Sequence, residues 1–209
     1  ITTDVNTGTK GITESEVIGN QHFDLAELTK NWPEKARERF ITTLAKDIPF
    51  KMLVVGSPTL GNETVGLAAF ISSPVKEAFG EKSLALEIHT YDMTSKEFIA
   101  GDKYQEIVSM KADMILLEPF TLKDNGEVEI EDSLANLTAL IVTLRADNPD
   151  LTIMLMPPNP LYKAKFYPIQ VAELKKYADS NQIPYLDHCN AWPGSESDEM
   201  LNYLSADES

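Results

Sequence analysis

Five short runs of apolar residues recur along the chain, separated by longer amphipathic stretches. Each run is almost continuously apolar rather than alternating, which is typical of strands buried on both faces of a parallel sheet. Glycine or a polar cluster follows several of them, as expected where a strand ends. The predicted strands are 52–55, 84–88, 114–117, 151–156 and 183–186.

The stretches between these runs carry apolar residues at helical spacing. The clearest covers about 133–147, where Leu134, Leu137, Ile141 and Leu144 recur every three or four residues. Further helices are predicted at 33–45, from 62 with a restart at 73–80, at 95–109, from 168 and at 197–204. This alternation predicts the α/β class, as a three-layer α/β/α sandwich with a five-stranded, mainly parallel sheet. One domain is expected over 23–209, after a flexible arm at 1–22.

Composition narrows the range of partners. The 209 residues include 33 acidic and 18 basic side chains, for a formal charge of −15. A field of that sign repels phosphate backbones, so nucleic acid is not an expected partner. No apolar run approaches the length of about 18 residues that a membrane span needs. Cys189 is the only cysteine, which excludes an internal disulfide.

The first residues of the chain are polar and do not begin with methionine. Removal of a signal or anchor segment would explain this start, and so would a boundary within a longer chain. The first explanation predicts an extracellular or cell-surface location. The second leaves a cytoplasmic location open.

Candidate chemistry lies in the loops that follow the strands, because ligands of open parallel sheets bind beyond the carboxyl ends of the strands. Ser57 directly follows the first strand, and the N–H groups of the next turn are available to an oxyanion. The loop tips are expected to converge on a crevice with the Ser57 hydroxyl at its floor. Glu118, at the end of the third strand, is expected to accept hydrogen bonds from a neighbouring loop.

Other loop features allow different chemistry. Residues 59–64 resemble the hydroxyl-rich first loop of flavodoxins, which favours FMN phosphate as an alternative ligand. His188 follows a strand and is either a rim histidine or a general base, since the ordinary imidazole pKa is about 6.5. Asp187, His188 and Cys189 are consecutive and would point to opposite faces of an extended segment. No metal site is therefore expected.

The order of several blocks resembles the SGNH (GDSL-like) hydrolases over about residues 50–209. The blocks are Gly56-Ser57, Asp124-Asn125, 148–158 and 177–187. The resemblance implies a flavodoxin-like α/β/α architecture and a serine esterase or deacetylase that needs no cofactor. It also implies acyl or acetyl esters as substrates, so the expected partner is a small-molecule or glycan ester, such as one of a cell-surface polysaccharide.

The same resemblance implies roles for individual residues. Ser57 would be the nucleophile, Asn125 would assist the oxyanion, and Asp207 would orient a histidine beyond Ser209. The helix that usually follows that histidine would also lie beyond the given chain, and His188 is the other candidate base. Binding roles are expected for residues in the loops, with the last two rings placed to stack on a sugar: Thr59, Tyr91, Asp124, Tyr162 and Trp192.

The sequence departs from the family pattern in three blocks. An ungapped overlay on Gly-Asp-Ser puts Pro58 rather than Ser57 at the nucleophile position. Tyr91 and Asp92 stand where the family has an oxyanion glycine, and Lys123-Asp124 stands at the Asn-Asp pair. These departures support a second hypothesis, a catalytically inactive protein of this fold that serves as a carbohydrate-binding or cell-surface module.

Overall fold

The computed structural model describes residues 25–203, in which four strands form one parallel sheet. The order across the sheet is β2-β1-β3-β4. The bounds of the strands are β1 Phe50–Gly56, β2 Leu84–Thr90, β3 Met114–Leu117 and β4 Thr152–Leu155. The first strand is therefore central, and it pairs with β2 from Phe50 to Gly56 and with β3 from Met52 to Val55.

Helices connect the strands. Their bounds are α1 Glu34–Ala45, α2 Leu67–Phe79, α3 Ser95–Ala100, α4 Tyr104–Ser109, α5 Thr121–Asp124, α6 Ile130–Asp147 and α7 Tyr167–Ser180. Short 3-10 turns cover Pro58–Leu60, His188–Ala191 and Asp198–Tyr203. A capping box starts α3: the Thr94 hydroxyl accepts the Glu97 N–H, and the Glu97 carboxylate accepts the Thr94 N–H. Among the described residues, no helix combines the length and apolarity needed to cross a bilayer.

Alternate side chains of the sheet enter two separate cores. Leu53 and Val55 pack in one core with side chains from α3, α4, α6 and α7. Met52 and Val54 pack in the other with side chains from α1 and α2. Because both faces of the sheet are covered, the strands are apolar at nearly every position. The predicted three-layer α/β/α sandwich is confirmed.

The predicted number of strands is wrong by one. Residues 183–186 form only an isolated parallel bridge between Tyr185 and Leu155. Leu155 donates its N–H to the Pro184 carbonyl, and Leu186 donates its N–H to the Leu155 carbonyl, both at 2.8 Å. Pro184 has no N–H to extend the ladder, and the chain enters a 3-10 turn at His188.

Two helical predictions also need correction. The stretch 95–109 forms two helices because Asp102, with φ of 52°, adopts a left-handed conformation between them. The predicted restart at Ser73-Pro74 is absent, since α2 runs through Pro74. The predicted arm at 1–22 lies outside the described residues.

Candidate active site

The sheet order places two loops side by side at the carboxyl edge. The chain moves from β1 to β2 on one side, and the later strands β3 and β4 lie on the other side of β1. The carboxyl ends of β1 and β3 therefore flank the topological switch point, where ligands of open α/β sheets bind. Ser57 directly follows β1, and Glu118 directly follows β3.

Ser57 is held by hydrogen bonds on both its backbone and its side chain. Its N–H donates to Glu118 Oε2 at 2.6 Å, and its hydroxyl lies 2.6 Å from the Thr59 hydroxyl. The residue is 0% exposed. This differs from the expected open crevice with the Ser57 hydroxyl at its floor, because the hydroxyl is engaged with Thr59 in the 3-10 turn at Pro58–Leu60 and the residue has no exposed surface.

Glu118 links the two loops at the switch point. The carboxylate is fully buried and accepts N–H groups from Ser57 and from Thr121, the latter at 3.1 Å. Burial raises the pKa of Glu118, the hydrogen bonds from Ser57 and Thr121 act in the opposite direction, and the nearby Asp124 adds to the increase. The predicted acceptor role of Glu118 toward a neighbouring loop is confirmed.

Gly56 makes this close packing possible. A Cβ at Gly56 would lie 2.7 Å from Glu118 Cβ and 2.8 Å from both Glu118 Oε2 and Leu60 Cδ1. These separations are too short for carbon contacts, so only glycine fits between the carboxylate and the turn.

A third loop, which follows β4, reaches the same place through Asn159. Its side-chain Nδ2 lies 3.5 Å from the Thr59 carbonyl oxygen, and its own carbonyl accepts the Tyr167 hydroxyl at 3.0 Å. Burial raises the pKa of Tyr167, and Glu118 adds to the increase. Asn159 Oδ1 is buried without a hydrogen-bond partner among the described residues. Sequence reasoning missed Asn159, since its Pro-rich loop carries no motif that singles out one residue.

His188 and Cys189 lie against the same loop. His188 Nε2 is 2.7 Å from the Pro157 carbonyl oxygen, which makes that nitrogen the donor, and Nδ1 is buried without a partner in the described part of the chain. The Cys189 thiol lies 3.8 Å from the Pro158 carbonyl oxygen, and burial raises its pKa to about 11. The structure thus ties His188 to the loop after β4 and shows no hydrogen bond between it and Ser57.

The other predicted site residues lie in different surroundings. The Asp124 carboxylate is buried and accepts the Ser95 N–H and the Ser133 hydroxyl, so it joins α5 to α3 and α6. The Tyr91 ring packs in the core against Phe98, and its hydroxyl donates to Glu106. Both side chains are therefore engaged within the fold.

Tyr162 and Trp192 lie farther along the rim. The Tyr162 hydroxyl donates to Asp198 at 2.5 Å, and the Trp192 ring centroid is 5.7 Å from that of Tyr203. The two rings are thus in contact with the last described turn rather than with Ser57. Asp207 lies outside the described residues.

Asn125 lies in a surface groove rather than in the Ser57 hydrogen-bond network. The groove encloses about 410 Å³ between residues 125–130 and the first turn of α7. Phe166 and Ile169 line it and are 75% and 53% exposed. Glu127 and Glu129 line it as well, and neither carboxylate has an ion-pair partner among residues 25–203.

The described residues offer little for a metal or a flavin phosphate. No group of three or more His, Cys, Asp or Glu side chains in residues 25–203 is arranged to hold a metal ion. The hydroxyls of the first loop are engaged locally: Thr59 with Ser57, and Thr64 with the Asn62 side chain at 2.8 Å.

Comparisons with known proteins identify the fold. No protein-family model matches the sequence, and no curated protein is significantly similar to it. A catalytic mutant of an acetylxylan esterase from Geobacillus stearothermophilus aligns with a TM-score of 0.52 and 16% identity, over 76% of this chain and 83% of its own. A lipase from a goat rumen metagenome aligns with a TM-score of 0.53 and 14% identity, over 76% and 88%.

A third solved structure, described as a GDSL-like lipase from Parabacteroides merdae, aligns with a TM-score of 0.50 and 14% identity, over 65% of this chain and 76% of its own. TM-scores of 0.50 to 0.53 at 14–16% identity show a shared fold and nothing beyond it. The chain therefore has the SGNH/GDSL-like hydrolase fold, as the order of its sequence blocks implied.

Proposed function

We propose that this chain is a serine ester hydrolase and that Ser57 is its nucleophile. The main observation in support is the position of Ser57, which directly follows the central strand at the topological switch point. The fold shared with acetylxylan esterases and lipases supports the same reaction class. In this reaction the Ser57 hydroxyl attacks an ester carbonyl and forms a tetrahedral intermediate, which loses the alcohol to give an acyl-enzyme. Water then hydrolyses the acyl-enzyme.

The resting geometry sets two requirements for this reaction. The Ser57 hydroxyl must exchange its contact with Thr59 for one with the substrate, and the surrounding atoms must move to expose it to the ester. A general base must also accept the Ser57 proton. His188 on the rim is the candidate for that role among the described residues, and the alternative is the histidine that the family resemblance implies.

The substrate we propose is an acyl or acetyl ester of an uncharged glycan. The groove beside α7 supports this choice, because the exposed face of Phe166 suits the apolar face of a sugar ring and Glu127 and Glu129 can accept hydroxyl hydrogen bonds. The groove has no cationic side chain among its described lining residues, and the net charge of −15 disfavours an anionic glycan. A glycan substrate fits an extracellular or cell-surface location.

Labelling with a fluorophosphonate probe tests the nucleophile. We expect one label per chain in a protein extended past Ser209, loss of the label in Ser57→Ala, and retention in the matched control Ser73→Ala, whose serine is exposed on α2. Circular dichroism verifies that both variants fold. Labelling that survives in a folded Ser57→Ala, or no labelling of the extended wild-type chain, would contradict the assignment.

Turnover of acetylated oligosaccharides tests the substrate. Phe166→Ala should raise KM for acetylated xylo-oligosaccharides about tenfold, the effect of losing roughly 1.4 kcal/mol of ring contact. Phe70→Ala is the matched control, since Phe70 is 81% exposed on α2, away from the groove. Equal KM values for the two variants would show that the groove does not bind the substrate.

A second candidate function is a non-catalytic glycan-binding module of the same fold. The observation that favours it is the complete burial of Ser57, together with the absence of a histidine hydrogen-bonded to its hydroxyl among the described residues. Oligosaccharide binding by the extended chain, without turnover of any ester and without fluorophosphonate labelling, would establish this alternative.

A further inference from the structure

The oxyanion site of the proposed reaction needs donors other than those that the sequence blocks imply. A backbone N–H at the nucleophile is a common oxyanion donor, but the Ser57 N–H is directed at Glu118 Oε2 at 2.6 Å. The donor and the acceptor are both buried, so breaking this bond would leave a buried polar group unpaired. The Ser57 N–H therefore serves a structural hydrogen bond and is not available to an oxyanion.

Asn125, the second donor implied by the blocks, lies in the wrong place. It ends α5 and lines the surface groove with Gly126 and Phe166. The neighbouring Asp124 is fixed by Ser95 and Ser133, so α5 cannot easily turn to bring Asn125 to the switch point.

Asn159 is the amide that the structure brings to the nucleophile turn. Its Nδ2 carries two protons, and one of them points to the Thr59 carbonyl oxygen over a long 3.5 Å contact. The second has no acceptor among the described residues. The backbone of Asn159 is held by the Tyr167 hydroxyl at 3.0 Å, which fixes the loop without using the side chain.

The state of the Asn159 side chain is unusual for a structural residue. Its Oδ1 is buried without a hydrogen-bond partner in the described part of the chain, although buried polar atoms are nearly always paired. An amide in contact with the turn that follows Ser57, with unused hydrogen-bonding capacity, is suited to a ligand that arrives later. The loop after β4 thus supplies a side-chain amide donor at the turn after Ser57, which the loop after β3 does not.

We propose that Asn159 is the oxyanion donor of this enzyme, in place of Asn125 and the Ser57 N–H. When Ser57 Oγ bonds to the carbonyl carbon, its proton passes to the general base, the π electron pair moves to the carbonyl oxygen, and the free Nδ2–H of Asn159 donates a hydrogen bond to that oxygen. The pair returns when the C–O bond to the alcohol breaks, and the general base gives the proton to the departing alcohol oxygen. This inference rests on the proposed ester hydrolysis.

Steady-state kinetics on p-nitrophenyl acetate test the proposal. Asn159→Ala and the nearly isosteric Asn159→Asp both lose the donor, and we expect kcat to fall about a hundredfold in each with KM changed little. Asn125→Ala tests the other candidate donor, and we expect it to raise KM for acetylated xylo-oligosaccharides. Asn181→Ala, an exposed asparagine after α7, controls for substitution of an asparagine and should match the wild type.

Each outcome has a defined meaning. Retention of kcat within about threefold in a folded Asn159→Asp overturns the proposal. A rise in KM at constant kcat also overturns it, because that result describes ground-state binding. A large loss of kcat in Asn125→Ala alone would return the role to Asn125. If the wild-type chain, extended past Ser209, hydrolyses no ester, the proposed function is wrong. This inference is then wrong as well.

Discussion

The Glu118→Gln variant offers a direct test of how the switch point is stabilised. In the wild type, both carboxyl oxygens of Glu118 accept a buried N–H, from Ser57 and from Thr121. Glutamine has one accepting oxygen, so its amide NH₂ must face one of these donors. An unpaired buried donor costs roughly 1–3 kcal/mol, a large part of the 5–15 kcal/mol by which domains are typically stable.

The sign of the pH dependence follows from the raised pKa of Glu118. Because the folded state disfavours the ionised form, the contribution of Glu118 to stability is full below its unfolded-state pKa and is lost as the pH rises through the folded-state pKa. The stability of the wild type relative to Glu118→Gln should therefore fall as the pH rises toward and through the folded-state pKa of Glu118. Glutamine does not titrate, so the comparison isolates this one group.

Urea denaturation followed by circular dichroism at several pH values measures the difference. Glu38→Gln, a substitution of an exposed glutamate on α1, is the matched control and should stay within about 0.5 kcal/mol of the wild type. A Glu118→Gln variant as stable as this control, or a difference that grows with pH, would refute the reasoning about two accepted N–H groups and a carboxyl held above its ordinary pKa.

Two further predictions concern the neighbourhood of the site. Gly56→Ala should lower the free energy of unfolding by about 1–3 kcal/mol, because its Cβ would meet Glu118 Cβ at 2.7 Å, whereas Gly194→Ala, with no atom within 4 Å, should not. Urea denaturation of both variants checks this, and equal stabilities would contradict it. Cys189, with its pKa raised to about 11, should react with iodoacetamide about a hundredfold more slowly in the native protein than in urea at neutral pH. Equal alkylation rates would show that the thiol is not buried.

The sequence predicted the layers of the fold well because burial on both faces leaves a direct signal. The runs at Met52–Val55 and Met114–Leu117 are continuously apolar, and both became central strands between two cores. The run at 183–186 looks similar, but Pro184 limits it to a single bridge. Local patterns also fail at two places in helices. The left-handed conformation of Asp102 divides one predicted helix, and α2 continues through Pro74, because both depend on tertiary packing.

The candidate site was harder to predict, because its contacts join residues far apart in sequence. The position of Ser57 after β1 followed from the pattern, but its complete burial did not. The contact between Asn159 and Thr59 spans 100 residues and carries no motif. Asp124 and Tyr91 were expected to bind ligand from loop position alone, whereas their side chains make hydrogen bonds within the fold. Their predicted binding roles stay predictions.

The weak attachment of residues 184–186 has a consequence for motion at the rim. Two hydrogen bonds to Leu155 join this segment to the sheet, and the core packing of Ile183 and Tyr185 adds to them. His188, which follows, is joined to the loop after β4 through the Pro157 carbonyl. The ladder keeps the ends of β1 and β3 in fixed register, whereas residues 184–186 lie outside it. Local opening of this segment would therefore leave Ser57 and Glu118 in place at the ends of their strands.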